Sequence, residues 1–345
     1  MIWHLIDSRT IGGAERHIAI LLLCLRRRNI AAEAVLYCDY GNNQWLSQLS
    51  ADNLPFRVLS GSPRGLIQAL AQNRPKLLHV HGYKGGILGR LPSRLLGIPV
   101  VTTFHSGQRS GWPLKLYEWA DEWSSVLGER VAVSSAVQSR LPLSSTLIVN
   151  FLPENPSPIA TVLPRRVAFA GRLSAEKGPD LFCALASQAP SGLEWHIYGD
   201  GPMRQELEAR YAGVVTFHGV VPDFNEVWPT IGLLAMPSRF EGLPYSALEA
   251  LAAGVPILAS RVGGLPDAVQ EDVTGWLFDV GDIKTALAKL DRWMMLDTTA
   301  QDKMRLQCWR HVKSHFSEAS EMPKLISVYR KAGYFVPPEV PDGYF

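Results

Sequence analysis

Ser238-Arg239-Phe240-Glu241-Gly242-Leu243-Pro244-Tyr245-Ser246-Ala247-Leu248-Glu249-Ala250-Leu251-Ala252-Ala253-Gly254 sets two carboxylates on either side of a helix start. Pro244 suits the first helical position, where its fixed φ is already helical and its missing N–H is no loss, and Gly254 suits the left-handed stop. The expected helix runs over 244–253. Its N-terminal end, at Gly242, Leu243, Pro244 and Tyr245, combines unpaired amides with the positive end of the helix dipole. Such an end forms an anion site beside Glu241. Glu249 lies roughly 7 to 8 Å further along the axis at about 1.5 Å per residue. A nucleoside diphosphate seated on the helix start would turn its ribose hydroxyls to Glu249 and the group on its far phosphate to Glu241. The residues alone equally allow Glu241 to be a charge that favours the helix start and Glu249 a solvated helix-face charge.

Outward from this stretch, short apolar runs alternate with amphipathic ones, the pattern of βα units that build parallel sheets. Strands are expected at 2–6, 34–38, 77–80, 100–104, 131–133 and 147–149, with helices at 14–28 and 114–126. Prolines at 153, 156, 158 and 164 suit neither a helix interior nor an inner strand, so 153–165 is expected to link two domains. Strands resume at 167–170, 195–198, 214–217, 233–236 and 257–259, with helices at 180–189, 203–211, 226–230 and 283–295. Residues 301–331 read as helix with a break or kink at Pro323. The expected architecture is α/β: a Rossmann-like domain over 1–152, a second over 166–315, and a C-terminal helix and tail over 316–345.

The chain has 345 residues, enough for two cores, and its 47% hydrophobic and 19% charged content is that of an ordinary globular protein. No run of 18 apolar residues occurs, and the start lacks a basic region followed by a cleavable apolar core; a cytoplasmic location is expected. Cys24, Cys38, Cys183 and Cys308 are widely spaced, which indicates neither a disulfide framework nor a structural zinc. The net charge of +2 hides an asymmetry. Residues 1–150 hold 16 of the 34 Lys and Arg against 9 of the 32 Asp and Glu, leaving 18 against 23 for the rest. A basic half attracts phosphate-rich partners such as anionic lipid headgroups and phosphorylated glycans. No nucleic-acid-binding signature accompanies the charge, so no nucleic acid partner is expected.

The 238–254 stretch, continued by Gly263-Gly264-Leu265-Pro266-Asp267 and Thr274-Gly275, resembles the E-x7-E region of the retaining glycosyltransferases of family 4 (glycosyl transferases group 1). Asp267 stands where that family usually has Glu. The resemblance implies a GT-B fold, two Rossmann-like α/β/α domains facing a cleft, with the last helix crossing back to the N-terminal domain. Gly12-Gly13-Ala14-Glu15 resembles the family's GGAE loop; on residues alone Gly12 and Gly13 are as readily a tight turn as a phosphate loop, and the resemblance implies the donor diphosphate. Gly171-Arg172-Leu173-Ser174-Ala175-Glu176-Lys177-Gly178 resembles GRL-x-x-EKG. Two cations on one loop, Arg172 and Lys177, suit a departing diphosphate.

His105 ends the strand at 100–104 and resembles the family's T-x-H-G region, although Ser106 intervenes before Gly107. A histidine there can donate to a sugar hydroxyl or pack against a carbonyl. His79 and His81 are expected to face opposite sides of their strand. Val220, in the loop Gly219-Val220-Val221-Pro222, falls where the family brackets the nucleobase with backbone groups, and Gly199-Asp200-Gly201-Pro202 matches a structural G-x-G-P turn. Ser134 resembles a residue on the acceptor side, and Phe151 replaces the glycine that often follows Asn150. Trp112, Tyr117, Trp119 and Trp123 make an aromatic helix whose spacing points first to core packing. Arg90, Arg94, Arg109 and Lys115 nearby point second to an interfacial surface for lipid or glycan.

No Asp pair at i, i+2 occurs, so no chelated metal is expected and charge neutralisation falls to Arg172, Lys177 and helix amides. No G-x-S-x-G, P-loop or G-x-G-x-x-G occurs either. The expected activity is a metal-independent retaining hexosyl transfer from a UDP- or GDP-sugar to a glycan or lipid-linked acceptor, in lipopolysaccharide or exopolysaccharide synthesis. The donor would sit mainly on the second domain and the acceptor on the first. Glu241, His105, Arg172 and Lys177 are the candidate catalytic residues. No cofactor is expected; peripheral contact with the inner membrane is. The alternatives are a non-hydrolysing UDP-sugar epimerase and an inactive sugar-binding protein.

Overall fold

A strand inside a parallel sheet is covered on both faces, and the runs Ile2–Ile6 and Val100–Phe104 meet that demand by being buried along their whole length. The computed structural model describes residues 1–9, 11–41, 43–105, 114–153, 164–221 and 223–335. Contacts divide the chain into two units, Met1–Pro153 with Glu318–Phe345, and Glu154–Ser317. The link expected at 153–165 falls mainly on residues 154–163, which lie outside the described residues.

The first unit runs β1 (Ile2–Ile6), α1 (Gly13–Arg27), β2 (Ala32–Leu36), α2 (Gln44–Ala51), β3 (Phe56–Val58), α3 (Pro63–Asn73), β4 (Leu77–His81), α4 (Tyr83–Leu95), β5 (Val100–Phe104), α5 (Leu114–Ser124), β6 (Glu129–Ala132), α6 (Ser135–Arg140) and β7 (Thr146–Leu147). Its seven-stranded sheet is ordered β3-β2-β1-β4-β5-β6-β7, and neighbouring strands are parallel. The second unit runs β8 (Arg166–Ala170), α7 (Pro179–Gln188), β9 (Glu194–Tyr198), α8 (Arg204–Arg210), β10 (Thr216–Gly219), β11 (Leu233–Met236), α9 (Tyr245–Ala252), β12 (Ile257–Ser260), α10 (Leu265–Ala268), β13 (Gly275–Phe278), α11 (Ile283–Met294) and α12 (Thr298–His315). Its six parallel strands are ordered β10-β9-β8-β11-β12-β13. Each sheet reverses its strand order once, between β1 and β4 and between β8 and β11. Open α/β sheets bind ligands at such switch points.

The chain then returns to the first unit as α13 (Glu318–Ala332). Glu318 N donates to Leu152 O at 3.1 Å, Val149 N donates to Glu321 Oε2 at 3.1 Å, and the Tyr329 hydroxyl lies 2.9 Å from His79 Nδ1. Among the described residues no helix is long and apolar enough to cross a membrane.

Several expected boundaries move. Pro244 is extended (ψ 137°) and caps α9 rather than opening it, while Gly254 takes the left-handed φ of +82° that ends it. The final helical stretch breaks at 316–317, not at Pro323, which lies inside α13. Phe316 is buried there, and the Glu318–Leu152 bond turns the chain onto the first unit. β2 starts two residues early because its register pairs Ile2 with Ala32, and Cys38 instead bridges Ser60. The aromatic face of α5 overturns the expectation of core packing: Tyr117, Trp119 and Trp123 are exposed, and Asp121 and Glu122 are buried. Trp112 and Arg109 lie outside the described residues.

Candidate active site

β8 and β11 lie side by side although four elements separate them in sequence, so the loops leaving their carboxyl ends open next to each other. The first loop carries Arg172 and ends in a short turn, Ala175–Lys177; the second leads through Glu241 into α9. Lys177 Nζ donates to Glu241 Oε1 at 2.8 Å and to Oε2 at 2.6 Å, and Ser238 Oγ donates to Oε1 at 2.9 Å. The Glu241 side chain is only 3% exposed. A carboxylate so buried requires such partners.

The two loops are stitched together by backbone as well. Arg239 N and Phe240 N donate to Glu176 O at 2.8 and 3.2 Å. The Arg239 guanidinium grips both oxygens of Asp180 at 2.8 and 2.6 Å, which holds the Asp180 carboxyl below its ordinary range. Glycines make the close approach possible. Gly178 has φ +68°, and a Cβ on it would stand 2.1 Å from Pro237 O; one on Gly263, at φ +56°, would stand 2.0 Å from Glu241 O. Gly264 N also donates to Gly242 O. Gly178→Ala is therefore expected to destabilise the second unit by at least about 1–3 kcal/mol, read as a lower denaturant midpoint. A midpoint equal to wild type would show that the loop packing tolerates a side chain.

The structure thus brings Lys177 and Glu241 together at the start of α9. Gly242 and Pro244 there are half-buried, Leu243 and Tyr245 are buried, and Glu249 follows half-buried on the helix. Arg172 is exposed on the Lys177 loop. Gly199 and Gly201 back this loop: Cβ atoms on them would meet Gly171 O at 2.0 Å and Leu173 O at 2.5 Å. Val220 is exposed just past β10, where the rings of Tyr198 and His218 stack 4.4 Å apart; Pro222 lies outside the described residues.

In the first unit β1, β4 and the carboxyl end of β5 gather histidines. The register pairs His4 with His79, and His79 and His81 lie on the same face, their ring centroids 4.3 Å apart. The expectation of opposite faces fails because residues i and i+2 share a side of the pleat. His4 Nδ1 lies 3.1 Å from His81 Nε2, and His81 Nδ1 lies 3.0 Å from His105 Nε2. His17 on α1 sets its ring 5.0 Å from that of His105. Burial lowers the pKa of His4 to about 3 and of His17 to about 4, and holds His79, His81 and His105 well below the ordinary value. All five are neutral near pH 7. His4, His79 and His81 each bring one nitrogen within 4.8 Å of the others, the one grouping of metal-ligand spacing among the described residues.

His81 and His105 line a cavity of about 260 Å³ with Asp7, Glu15, Lys84 and Arg140. Gly12 caps α1 and Gly13 begins it, both exposed. Ser106 and Gly107 lie outside the described residues. Ser134 is buried and caps α6, accepting from Val137 N at 3.2 Å, which makes its visible role structural. Sequence reading missed Ser238, Arg239 and Asp180, because their pairing depends on β8 and β11 being neighbours. It missed His4 and His17 because their convergence depends on β1 and β4.

Residues 11–142 match the family described as Glycosyltransferase Family 4, and residues 164–295 the family described as Glycosyl transferases group 1. The sulfoquinovosyl transferase SQD2 of Arabidopsis thaliana is 26% identical over 67% of this chain and 52% of its own length, so this chain spans about half of that relative. The UDP-Gal:alpha-D-GlcNAc-diphosphoundecaprenol alpha-1,3-galactosyltransferase of Escherichia coli is 23% identical over 76% of this chain and 77% of its own length. The crystal structure of HepE from Anabaena in complex with UDP has a TM-score of 0.83 at 19% identity, covering 96% of this chain and 99% of that one. That likeness is one of fold.

Proposed function

The chain belongs to the family 4, group 1, glycosyltransferases and has their GT-B fold, and on that premise we propose that it moves a sugar from a nucleoside-diphosphate donor to a hydroxyl acceptor. The observation that carries the reading is the Lys177–Glu241 pair at the start of α9. A diphosphate on the α9 amides would find Lys177 and Arg172 as counter-charges, without a metal, as its bond to the sugar breaks. Glu249 would meet the ribose, and backbone near Val220 the base. Glu241 positions the sugar. Transfer is with retention, the departing phosphate oxygen taking the acceptor proton as the new glycosidic bond forms. His105, neutral beside His81, offers a hydrogen bond to a sugar hydroxyl without adding charge. The helix start at Gly12–Gly13 offers amides to phosphate.

UDP- or GDP-sugar is the proposed donor, and a glycan or lipid-linked intermediate of bacterial surface polysaccharide the proposed acceptor, reached from the cytoplasmic side. The printed acceptor of the Escherichia coli relative, a diphosphoundecaprenol, supports the lipid-linked class. A thermal-shift panel of UDP-, GDP- and ADP-sugars tests the donor. One of them at a hundred times its Kd is expected to add about 2.7 kcal/mol, a rise of several degrees. That donor should then release its nucleoside diphosphate only when acceptor is present. A panel with no shift and no release would end the reading.

A further inference from the structure

α5 is built inside out. Asp121 and Glu122 point inward, the first pairing with buried Arg90 at 2.8 Å and the second lying 3.6 Å from Arg140. Leu116, Tyr117, Trp119 and Trp123 point outward, and neighbouring α4 turns out Leu91 and Leu95; all six are between 48% and 79% exposed. Leu116, Trp119 and Trp123 stand at i, i+3 and i+7, one face of the helix. α4 and α5 pack together, with the rings of Tyr83 and Tyr117 6.2 Å apart across them, and on α5 itself the rings of Trp119 and Trp123 lie 6.4 Å apart. Exposed apolar side chains gathered in this way on adjoining helices mark an interaction site.

We infer that this face docks the protein on an anionic lipid surface, with α5 lying in the interfacial plane and its indoles at headgroup level. Indole and tyrosine rings favour that boundary because one edge is apolar and the other polar. Charge selects the occupant. Lys115 and Arg94 are exposed beside the stripe, while Glu118, Asp121 and Glu122 line the cavity. Each such cation is attracted to an anionic leaflet. Lys115 and Arg94 would meet a further pair of cations on a second copy of the same face, which disfavours that occupant. Docking is independent of the transfer chemistry and is read without any donor.

The test is flotation of the full chain with vesicles of phosphatidylcholine alone, and of phosphatidylcholine and phosphatidylglycerol in equal parts. Wild type is expected to float with the mixed vesicles, less so at high salt. The double variant Trp119→Ala, Trp123→Ala should bind at least about tenfold more weakly at an unchanged melting temperature, since both side chains already face solvent. Arg94→Glu with Lys115→Glu should abolish the preference for the anionic lipid. Wild type that does not float, or a tryptophan variant that floats as wild type does, overturns the inference. So does a concentration-dependent dimer that the tryptophan substitutions dissolve, which would assign the face to a second copy.

Discussion

Glu241→Gln is expected to lower the transfer rate by about 10²–10³-fold or more while moving the melting temperature by only a degree or two. The amide keeps the shape and the Ser238 hydrogen bond but removes the charge that fixes Lys177. Lys177 is 31% exposed and can turn to water, so its loss of a partner is tolerated. Lys177→Ala behaves differently. Glu241 is almost wholly buried and would keep only Ser238. A buried acceptor deprived of its partner costs about 1–3 kcal/mol, or about 2–4 °C for each kcal/mol in a unit of this size. Lys177→Ala should therefore be both inactive and several degrees less stable. The double variant should recover part of that stability, because the orphaned charge is gone. Steady-state transfer and calorimetry on the three proteins decide the matter; a fully active Glu241→Gln would remove Glu241 from the chemistry.

Much of this site could be read before the fold was seen, for a local reason. Gly254 supplies a stop and Pro244 a start through chemistry that acts within a few residues, so α9 announces itself. What sequence does not carry is direction and adjacency. Helical spacing groups Leu116, Trp119 and Trp123 on one face but is silent on whether that face turns inward, and here the inward face is filled by the Arg90–Asp121 pair. Arg239 grips Asp180 at a sequence separation of 59, a pairing created by the neighbouring of β8 and β11. β3 escaped notice because it is three residues long and its Phe56 and Val58 are exposed at the sheet edge. Family motifs located the Lys177 and Glu241 loops. Their mutual contact needed the strand order.

The histidine cluster leads to the second large effect, a loss of stability in mild acid that should be confined to the first unit. His4, His17, His79, His81 and His105 are neutral when folded, because burial lowers every one of their pKa values, to about 3 for His4 and about 4 for His17. In the unfolded chain they titrate near 6.5. Below that pH the unfolded state binds more protons than the folded one, so stability falls as pH falls. The contribution is complete above pH 6.5 and is lost on descending toward the folded values. Each histidine adds a slope of up to about 1.4 kcal/mol per pH unit, and five acting together set a ceiling of about 7. Even half that ceiling would remove about 7–10 kcal/mol within two or three pH units, which exceeds the lower part of the usual margin of about 5–15 kcal/mol. Calorimetry between pH 7.5 and 4.5 is expected to show one transition moving steeply downward while the other, from the second unit, moves less, since the lowered histidines there are three, His196, His218 and His311, against five in the first unit, and His218 is exposed. Replacing His4 with Gln should flatten the slope of the first transition by about 1.4 kcal/mol per pH unit whatever it does to stability at neutral pH. A first transition that stays level down to pH 5 would mean that the cluster accepts a proton in the folded state. The bond between His81 and His105 would then have to be rethought as one between a charged and a neutral ring.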